Sequence, residues 1–163
     1  MSKTMQIIQY NARKAREGVM ATFLLDPKVL QADIIAVQEP WANPMTETTH
    51  QPARQSHQLL YPKRKDHGGD DRARVCMLVS KRIDPGSWTQ RVISKDYQWL
   101  KLRYQRGTEE RTLYVHNIYN QPQSPTIDRL RSELAALHAL RDWGRPLTTD
   151  HVVIGDMNAH HPA

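Results

Sequence analysis

The fold of this chain is constrained most by short apolar runs that stop abruptly at polar side chains. The clearest of them is Val152–Ile154, which has the composition of a strand buried on both faces and is followed at once by Gly155, Asp156 and Asn158. A carboxylate and a carboxamide two residues apart at the end of a strand can direct two oxygen-bearing side chains at one point. Hard cations such as Mg²⁺ take oxygen ligands of this kind. Gly, Asp and Asn are also ordinary turn residues, so the motif needs support from elsewhere in the chain.

Three further apolar runs end in the same way. They close with polar side chains, which are Asn11 after residues 5–10, Glu39 after residues 33–38, and Tyr119 with Asn120 after residues 113–118. Because ligands of open α/β sheets gather at the carboxyl ends of strands, we expect five candidate site residues to converge at one end of the sheet: Asn11, Glu39, Tyr119, Asp156 and Asn158. Taken singly, Asn11 could be a helix N-cap, Glu39 a solvated strand end, and Tyr119 a packing residue. The prediction depends on the position that they share.

The rest of the pattern predicts strands and helices in a single domain. Helices are expected from about Arg13 to Leu25, ended by Asp26-Pro27, and from about Pro125 to Trp143, with Ser124 as N-cap and Gly144 after the last turn. Residues 58–61, 74–80, 99–104 and 112–119 are predicted strands, and residues 62–72 a charged loop. Buried strands among half-buried ones, together with helices, favour a layered α/β architecture.

Composition narrows the class of protein. The chain has 163 residues, enough for one domain with a core. Lys and Arg outnumber Asp and Glu by 23 to 17, and the resulting net charge of +6 favours phosphate-rich partners. Cys76 is the only cysteine, so no disulfide can form within the chain, which fits an intracellular rather than a secreted protein. No apolar run reaches the length of a membrane span, and we expect no membrane partner.

Four motifs in order along the chain resemble those of the endonuclease/exonuclease/phosphatase superfamily. They are Q-Y-N at 9–11, D-I-I-A-V-Q-E-P-W at 33–41, V-H-N-I-Y-N at 115–120 and G-D-M-N-A-H-H-P at 155–162. The Q-E-P-W and N-A-H-H-P segments are most similar to the apurinic-type endonuclease domains of LINE-like (non-LTR) retrotransposons. The resemblance implies a layered α/β sandwich of the DNase I-like type, a Mg²⁺ cofactor with Mn²⁺ as the alternative ion, and DNA as the partner. It also implies a nuclear location and a reverse transcriptase in the parent polyprotein.

The resemblance also assigns roles to the candidate residues. Glu39 would be the principal metal ligand, with Asn11 and Asp156 as the other metal-binding residues. Tyr119 would contact the scissile phosphate, and Asp156 with Asn158 would hold the attacking water and stabilise the transition state. The chain departs from the family pattern two residues after Asn11, where family members commonly carry an acidic or amide residue and this chain has an arginine. The adjacent histidines at 160–161 are interpreted as a structural signature rather than as zinc ligands.

The motifs cover the N-terminal part of such a domain. Complete family domains continue past G-D-x-N, and their distal half supplies a further Asp and a terminal Ser-Asp-His motif whose His contacts the phosphate. We therefore expect residues 1–163 to be a truncated domain with weak or no nuclease activity and with self-association through an exposed sheet edge. Two alternatives stay open: a catalytically dead remnant or interaction fragment of the same fold, and another phosphodiesterase or phosphatase of the superfamily. The basic charge and the Q-E-P-W and H-H-P signatures favour DNA over lipid.

Overall fold

The computed structural model describes residues 4–14, 16–69, 71–123, 125–140 and 148–158. The helices and strands follow one another in the order β1 (Ile7–Asn11), α1 (Glu17–Leu25), α2 (Pro27–Leu30), β2 (Ile34–Gln38), β3 (His57–Leu60), α3 (Arg64–His67), β4 (Val75–Ser80), β5 (Trp88–Ser94), β6 (Tyr97–Arg106), β7 (Glu109–Tyr119), α4 (Thr126–Ala139) and β8 (Thr149–Asp156). A single turn of 3-10 helix at Pro85–Ser87 leads into β5.

The strands in these ranges form two four-stranded sheets. The first has the order β1-β2-β4-β3 and the second the order β5-β6-β7-β8. Two neighbouring pairs are parallel, β1 with β2 and β7 with β8, and the other pairs are antiparallel. The parallel pairs carry the polar strand ends, with Asn11 opposite Gln38 in the first sheet and Tyr119 opposite Asp156 in the second. Each sheet therefore brings two of the sequence motifs side by side.

The sheets pack face to face, and helices cover their outer faces. The apolar core between the sheets consists of Ile34, Ala36, Leu60, Met77, Val79, Leu100, Leu113 and Val115. Met20 and Leu24 of α1 pack on the outer face of the first sheet, and Leu130 of α4 packs on the outer face of the second. This α/β/β/α order of layers confirms the predicted layered α/β architecture.

The two-residue period of a strand decides which side chains reach the interface between the sheets. On β7 these inner positions run from apolar to polar in the order Leu113, Val115, Asn117 and Tyr119, with the first two in the shared core. The other strands that end in motifs repeat this order with Ile7-Gln9-Asn11, Ile34-Ala36-Gln38 and Val152-Ile154-Asp156. The core between the sheets is thus continued by amides, and then by the candidate site residues, at one end of the sandwich.

Two helix boundaries differ from those predicted. α1 begins at Glu17 rather than near Arg13, because Arg13 and Lys14 have left-handed φ values of 51° and 53°, which a helix cannot contain. Asp26-Pro27 ends α1 as expected, but it also starts α2, since the Asp26 side chain accepts a hydrogen bond from the backbone N–H of Lys28 at 2.8 Å.

Other differences concern strands and burial. β5 was not predicted, and the charged segment 62–72 contains the single turn of α3. Val152–Ile154 is half-buried rather than buried on both faces, because β8 is an edge strand that pairs only with β7 in the described part of the chain. Ser124, Gly144 and the predicted end of the last helix near Trp143 lie outside the described residues. Among the helices of the described ranges, none is long and apolar enough to cross a membrane.

Candidate active site

Asn11 and Asp156 connect the two sheets at the polar end of the sandwich. Asn11 Nδ2 donates a hydrogen bond to Asp156 Oδ2 at 2.7 Å, although the two residues are 145 positions apart in the chain. The backbone N–H of Asn158 donates to Asp156 Oδ1 at 3.0 Å, and Asn11 Oδ1 accepts from the backbone N–H of Arg13 at 2.8 Å. Both carboxylate oxygens of Asp156 are therefore oriented by hydrogen bonds, one from the Q-Y-N motif and one from its own motif.

Tyr119 lies beside Asp156 and completes the group. Its hydroxyl interacts with the side chains of Glu39 and Asn158. Burial raises the pKa of Tyr119 above its ordinary value, and the nearby Glu39 carboxylate raises it further. The phenol therefore stays protonated at neutral pH and can donate a hydrogen bond to an anionic ligand. The structure thus brings together all five predicted residues, two from the first sheet and three from the second sheet and the loop after it.

Strained backbone is concentrated around this group. All non-glycine residues with positive φ in the described ranges lie in its loops: Arg13, Lys14, Glu39 and Asn158. Glu39 has a φ of 47°, and its backbone is held by a 2.7 Å hydrogen bond to the carbonyl of Arg74 and a 2.9 Å bond from the N–H of Lys14. Such conformations cost about 1–3 kcal/mol each and persist where the surroundings impose them, commonly at functional sites. The strain supports a functional interpretation of the strand ends.

Gly155 explains why β7 and β8 can lie so close at the site. It has a φ of 146°, and a Cβ at this position would stand 1.9 Å from the carbonyl oxygen of Ile118. Only glycine permits this approach, which sets Tyr119 opposite Asp156. Gly155 in the G-D-M-N motif is therefore required for the packing of β8 against β7, and it is not there merely as a turn residue.

A chain of amides, which leads from the exposed Gln9 to the buried Gln38 and Asn117, lies next to the site and was not assigned a role from the sequence. Gln9 Nε2 donates to Gln38 Oε1 at 3.1 Å, and Gln38 Nε2 donates to Asn117 Oδ1 at 2.7 Å. Asn117 Nδ2 in turn donates to the carbonyls of Val37 and Cys76 at 3.3 and 2.9 Å. Gln38 and Asn117 are fully buried. Alternation along the strands places Gln38 on the inner face of β2 and Asn117 on the inner face of β7, and this pattern could have identified them from the sequence.

Asn120 ties the loop after β8 to the end of β7. Its backbone N–H donates to the carbonyl of Asp156 at 2.8 Å, and its Nδ2 donates to the carbonyl of Met157 at 2.9 Å. Asn158 Nδ2 donates back to the carbonyl of Asn120 at 2.7 Å. Asn120 is therefore a residue that shapes the loop, and one of the two amide donors of Asn158 is already engaged there.

A basic cleft opens next to Glu39. It has a volume of about 550 Å³, and its cationic lining consists of Lys14, Arg72, Arg74 and Lys95. Trp41 adds an aromatic surface, and Asp71, which pairs with Lys95, adds a second carboxylate beside that of Glu39. Arg74 and Lys95 are paired with Asp96 and Asp71, so the positive charge available to attract a polyanion such as a nucleic acid backbone lies on Lys14 and Arg72. The cleft accounts for the location of part of the chain's positive charge.

The candidate site residues fit a Mg²⁺ ion that is held by few protein ligands. The described residues contain no group of three or more His, Cys, Asp or Glu side chains that could hold a metal ion. Mg²⁺ is usually held by one or two carboxylates and keeps several waters. Glu39 supplies one carboxylate, and Asn11 Oδ1, at the end of β1, is a neutral oxygen that also accepts a hydrogen bond from the N–H of Arg13. Asp156 is engaged by Asn11 and Asn158, so its place among the metal ligands stays a prediction. The histidines at 160–161 lie outside the described residues.

Comparisons with known proteins agree with this fold. The profile of the Endonuclease/Exonuclease/phosphatase family matches residues 8–163. The solved endonuclease domain of TRAS1, a telomere-specific non-LTR retrotransposon, is 15% identical with a TM-score of 0.59, covering 97% of this chain and 61% of that one. TDP2 of D. rerio, complexed with a single strand DNA product, is 14% identical with a TM-score of 0.51, covering 96% of this chain and 62% of that one. A family protein from Leptotrichia buccalis is 14% identical with a TM-score of 0.54, covering 95% and 67%.

These structural likenesses concern the fold, and they confirm the predicted DNase I-like type. The chain spans about 61% of the TRAS1 domain and 62% of the D. rerio protein. Among curated proteins, none matches the chain.

Proposed function

The chain belongs to the endonuclease/exonuclease/phosphatase family, and on that premise we propose that its site is that of a Mg²⁺-dependent DNA endonuclease of the retrotransposon type. The observation that carries the proposal is the 2.7 Å bond from Asn11 to Asp156, which joins the two sheets at the polar strand ends. Of the five candidate residues, Glu39 is the one that lines the basic cleft next to them. DNA is the proposed substrate because the cleft is cationic and because structural neighbours are named as a retrotransposon endonuclease and a DNA complex. A nuclear location and a reverse transcriptase in the same polyprotein belong to the same proposal.

Each residue has a role that its geometry allows. Glu39 would hold the ion with Asn11 nearby, and the bound Mg²⁺ would polarise the phosphate and neutralise its developing charge. Tyr119, protonated at neutral pH, donates a hydrogen bond to a phosphate oxygen. Asp156 is oriented by Asn11 and Asn158 so that it can hold the attacking water and accept its proton. Asn158 would stabilise the transition state beside Tyr119, whose hydroxyl its side chain contacts.

We expect slow DNA cleavage by the chain as printed. It spans about 61% of the TRAS1 domain. The donor that the resemblance implies beyond G-D-x-N is the His of the Ser-Asp-His motif. Losing one such donor to the reacting phosphate typically lowers a rate about 100- to 1,000-fold. The expected reaction is therefore nicking of supercoiled DNA at a rate lower by about this factor than that of the TRAS1 endonuclease domain under the same conditions.

A plasmid-nicking assay tests the proposal. With Mg²⁺ present, the chain should convert supercoiled plasmid to the nicked form, and Glu39→Gln and Asp156→Ala should abolish the conversion. Glu110→Gln is the matched control, because it makes the same carboxylate-to-amide change on an exposed residue at the opposite end of β7. A folded chain that gives no nicking at any Mg²⁺ concentration would support the remnant alternative. Hydrolysis of inositol phosphates without any nicking would overturn DNA as the substrate.

A further inference from the structure

We propose that Arg74 is a positioning residue that holds the ring of Tyr119 toward Glu39, and that Asp96 in turn holds Arg74. The inference rests on the proposed function, since it deepens the role of Tyr119 in that same site. Neither Arg74 nor Asp96 belongs to any of the four sequence motifs.

Arg74 and Asp96 form a two-pronged ion pair. Arg74 Nε donates to Asp96 Oδ1 at 2.6 Å, and Arg74 Nη2 donates to Asp96 Oδ2 at 2.8 Å. The arginine and aspartate side chains are only 16% and 9% exposed. Two parallel charge-assisted bonds in a mostly buried place fix the plane of the guanidinium more firmly than a single surface contact would.

This guanidinium lies over the ring of Tyr119. The distance from Arg74 Cζ to the ring centroid is 4.7 Å, within the range of cation–π attraction. The backbone N–H of Tyr119 also donates to the carbonyl of Asp96 at 2.8 Å. Tyr119 is therefore held at its backbone by Asp96 and at its ring by Arg74.

The same pair reaches the residue on the other side of the site. Arg74 directly precedes β4 in the first sheet, and its carbonyl accepts a 2.7 Å hydrogen bond from the backbone N–H of Glu39. Asp96 lies between β5 and β6 in the second sheet. The ion pair thus crosses from one sheet to the other and fixes Glu39 and Tyr119 relative to each other.

The contacts favour a positioning role over direct phosphate binding. The charge of Arg74 is balanced by Asp96, and one face of the guanidinium is covered by Tyr119. Arg74 is largely buried and its charge is paired, so it has little charge left to offer a phosphate. Its effect on the reaction would therefore pass through the orientation of Tyr119, whose hydroxyl interacts with Glu39 and Asn158.

The test removes the ion pair without leaving a buried charge unpaired. The variant Arg74→Met with Asp96→Asn keeps the volume of both side chains and the backbone hydrogen bonds. The matched control is Arg111→Met with Asp150→Asn, which removes another arginine–aspartate pair near the opposite end of β7. In that pair Arg111 Nη2 is 3.0 Å from Asp150 Oδ2, and the arginine side chain is 15% exposed.

The readout is the ¹⁹F NMR signal of Tyr119 in protein labelled with 3-fluorotyrosine, assigned through Tyr119→Phe. The Arg74/Asp96 variant should shift and broaden this signal as the ring loses its single orientation, while the Arg111/Asp150 variant leaves it unchanged. In the nicking assay the first variant should lower kcat by about 10- to 100-fold, with KM changed by less than about 3-fold, since a misplacement near 1 Å can cost about 100-fold in rate.

An unchanged ¹⁹F signal in the Arg74/Asp96 variant would overturn the proposal, and so would a changed signal with an unchanged kcat. If the wild-type chain does not nick DNA, the proposed function fails, but the ¹⁹F comparison still decides whether Arg74 holds the ring. If the double variant does not fold, Arg74→Lys replaces it. Lysine keeps the charge but loses the two-pronged contact, so the Tyr119 signal should still shift, and a signal identical to wild type would again count against the proposal.

Discussion

Replacing Gly155 with alanine should separate the two strands that carry Tyr119 and Asp156. The new Cβ would lie 1.9 Å from the carbonyl oxygen of Ile118 and 2.8 Å from its carbonyl carbon. Ordinary van der Waals contact begins at 3.4 Å, so β8 must move away from β7 by about 1.5 Å at this point. The 2.8 Å bond from the N–H of Asn120 to the carbonyl of Asp156 lies one residue further on and would be stretched.

The loss of stability follows from two separate costs. Forcing a methyl group into a packed site costs about 1–3 kcal/mol. A φ of 146° belongs to a backbone region that is essentially restricted to glycine, where another residue costs about 1–3 kcal/mol more. We therefore expect Gly155→Ala to lower the free energy of unfolding by about 2–6 kcal/mol, a large part of the roughly 5–15 kcal/mol of a typical domain.

Urea denaturation followed by circular dichroism measures this loss, and Gly107→Ala supplies the control. Gly107 also has a positive φ, 64°, but a Cβ there would meet nothing within 4 Å. Gly107→Ala should lower the free energy of unfolding only by the energy of placing an alanine in the left-handed conformation, about 1 kcal/mol. If Gly155→Ala is no more destabilising than Gly107→Ala, the close approach of β7 and β8 does not require a glycine at position 155, and the proposed packing role is wrong.

Two further predictions concern buried polar groups. Asn117→Ala should lower the free energy of unfolding by about 2–5 kcal/mol, because Gln38 and two backbone carbonyls would lose buried hydrogen bonds; a loss similar to that of Asn43→Ala, whose bonds are exposed, would refute it. Burial, with a smaller contribution from the neighbouring His151, lowers the pKa of His116 to about 4. The unfolded chain, with a pKa near 6.5 for this group, therefore binds more protons as the pH falls. Stability should decrease by about 2 kcal/mol between pH 7 and pH 5, and His116→Gln should remove most of this dependence in urea titrations at both pH values.

The sequence was sufficient to predict the strand ends that meet at the site. The apolar runs and the polar residues that close them are local patterns, so Asn11, Glu39, Tyr119 and Asp156 could be named before their surroundings were known. The sequence did not show that these residues come from two sheets, because strand pairing depends on contacts between distant segments. The 2.7 Å contact from Asn11 to Asp156 joins residues that are 145 positions apart, and no local pattern encodes it.

The residues that support the candidate site differ in whether the sequence could have identified them. Gln38 and Asn117 could have been found, since alternation along β2 and β7 places both on the inner face, where an amide needs a buried partner. Arg74 and Asp96 could not, because each stands at a strand boundary where charged residues are usually solvated. Their pairing becomes visible only when the first and second sheets are packed together.

The central claim is that residues from both sheets form one metal-dependent site, and Mn²⁺ tests it most directly, as a paramagnetic substitute for Mg²⁺. In ¹⁵N NMR spectra, Mn²⁺ should broaden the amide signals of Asn11 and Glu39, at the strand ends of the first sheet, together with those of Asp156 and Asn158, at the end of β8 in the second sheet and in the loop after it. Excess Mg²⁺ should restore the signals, Glu39→Gln should prevent the broadening, and Glu110→Gln should leave it intact. Broadening confined to one sheet, or unchanged in Glu39→Gln, would contradict a shared site built on Glu39.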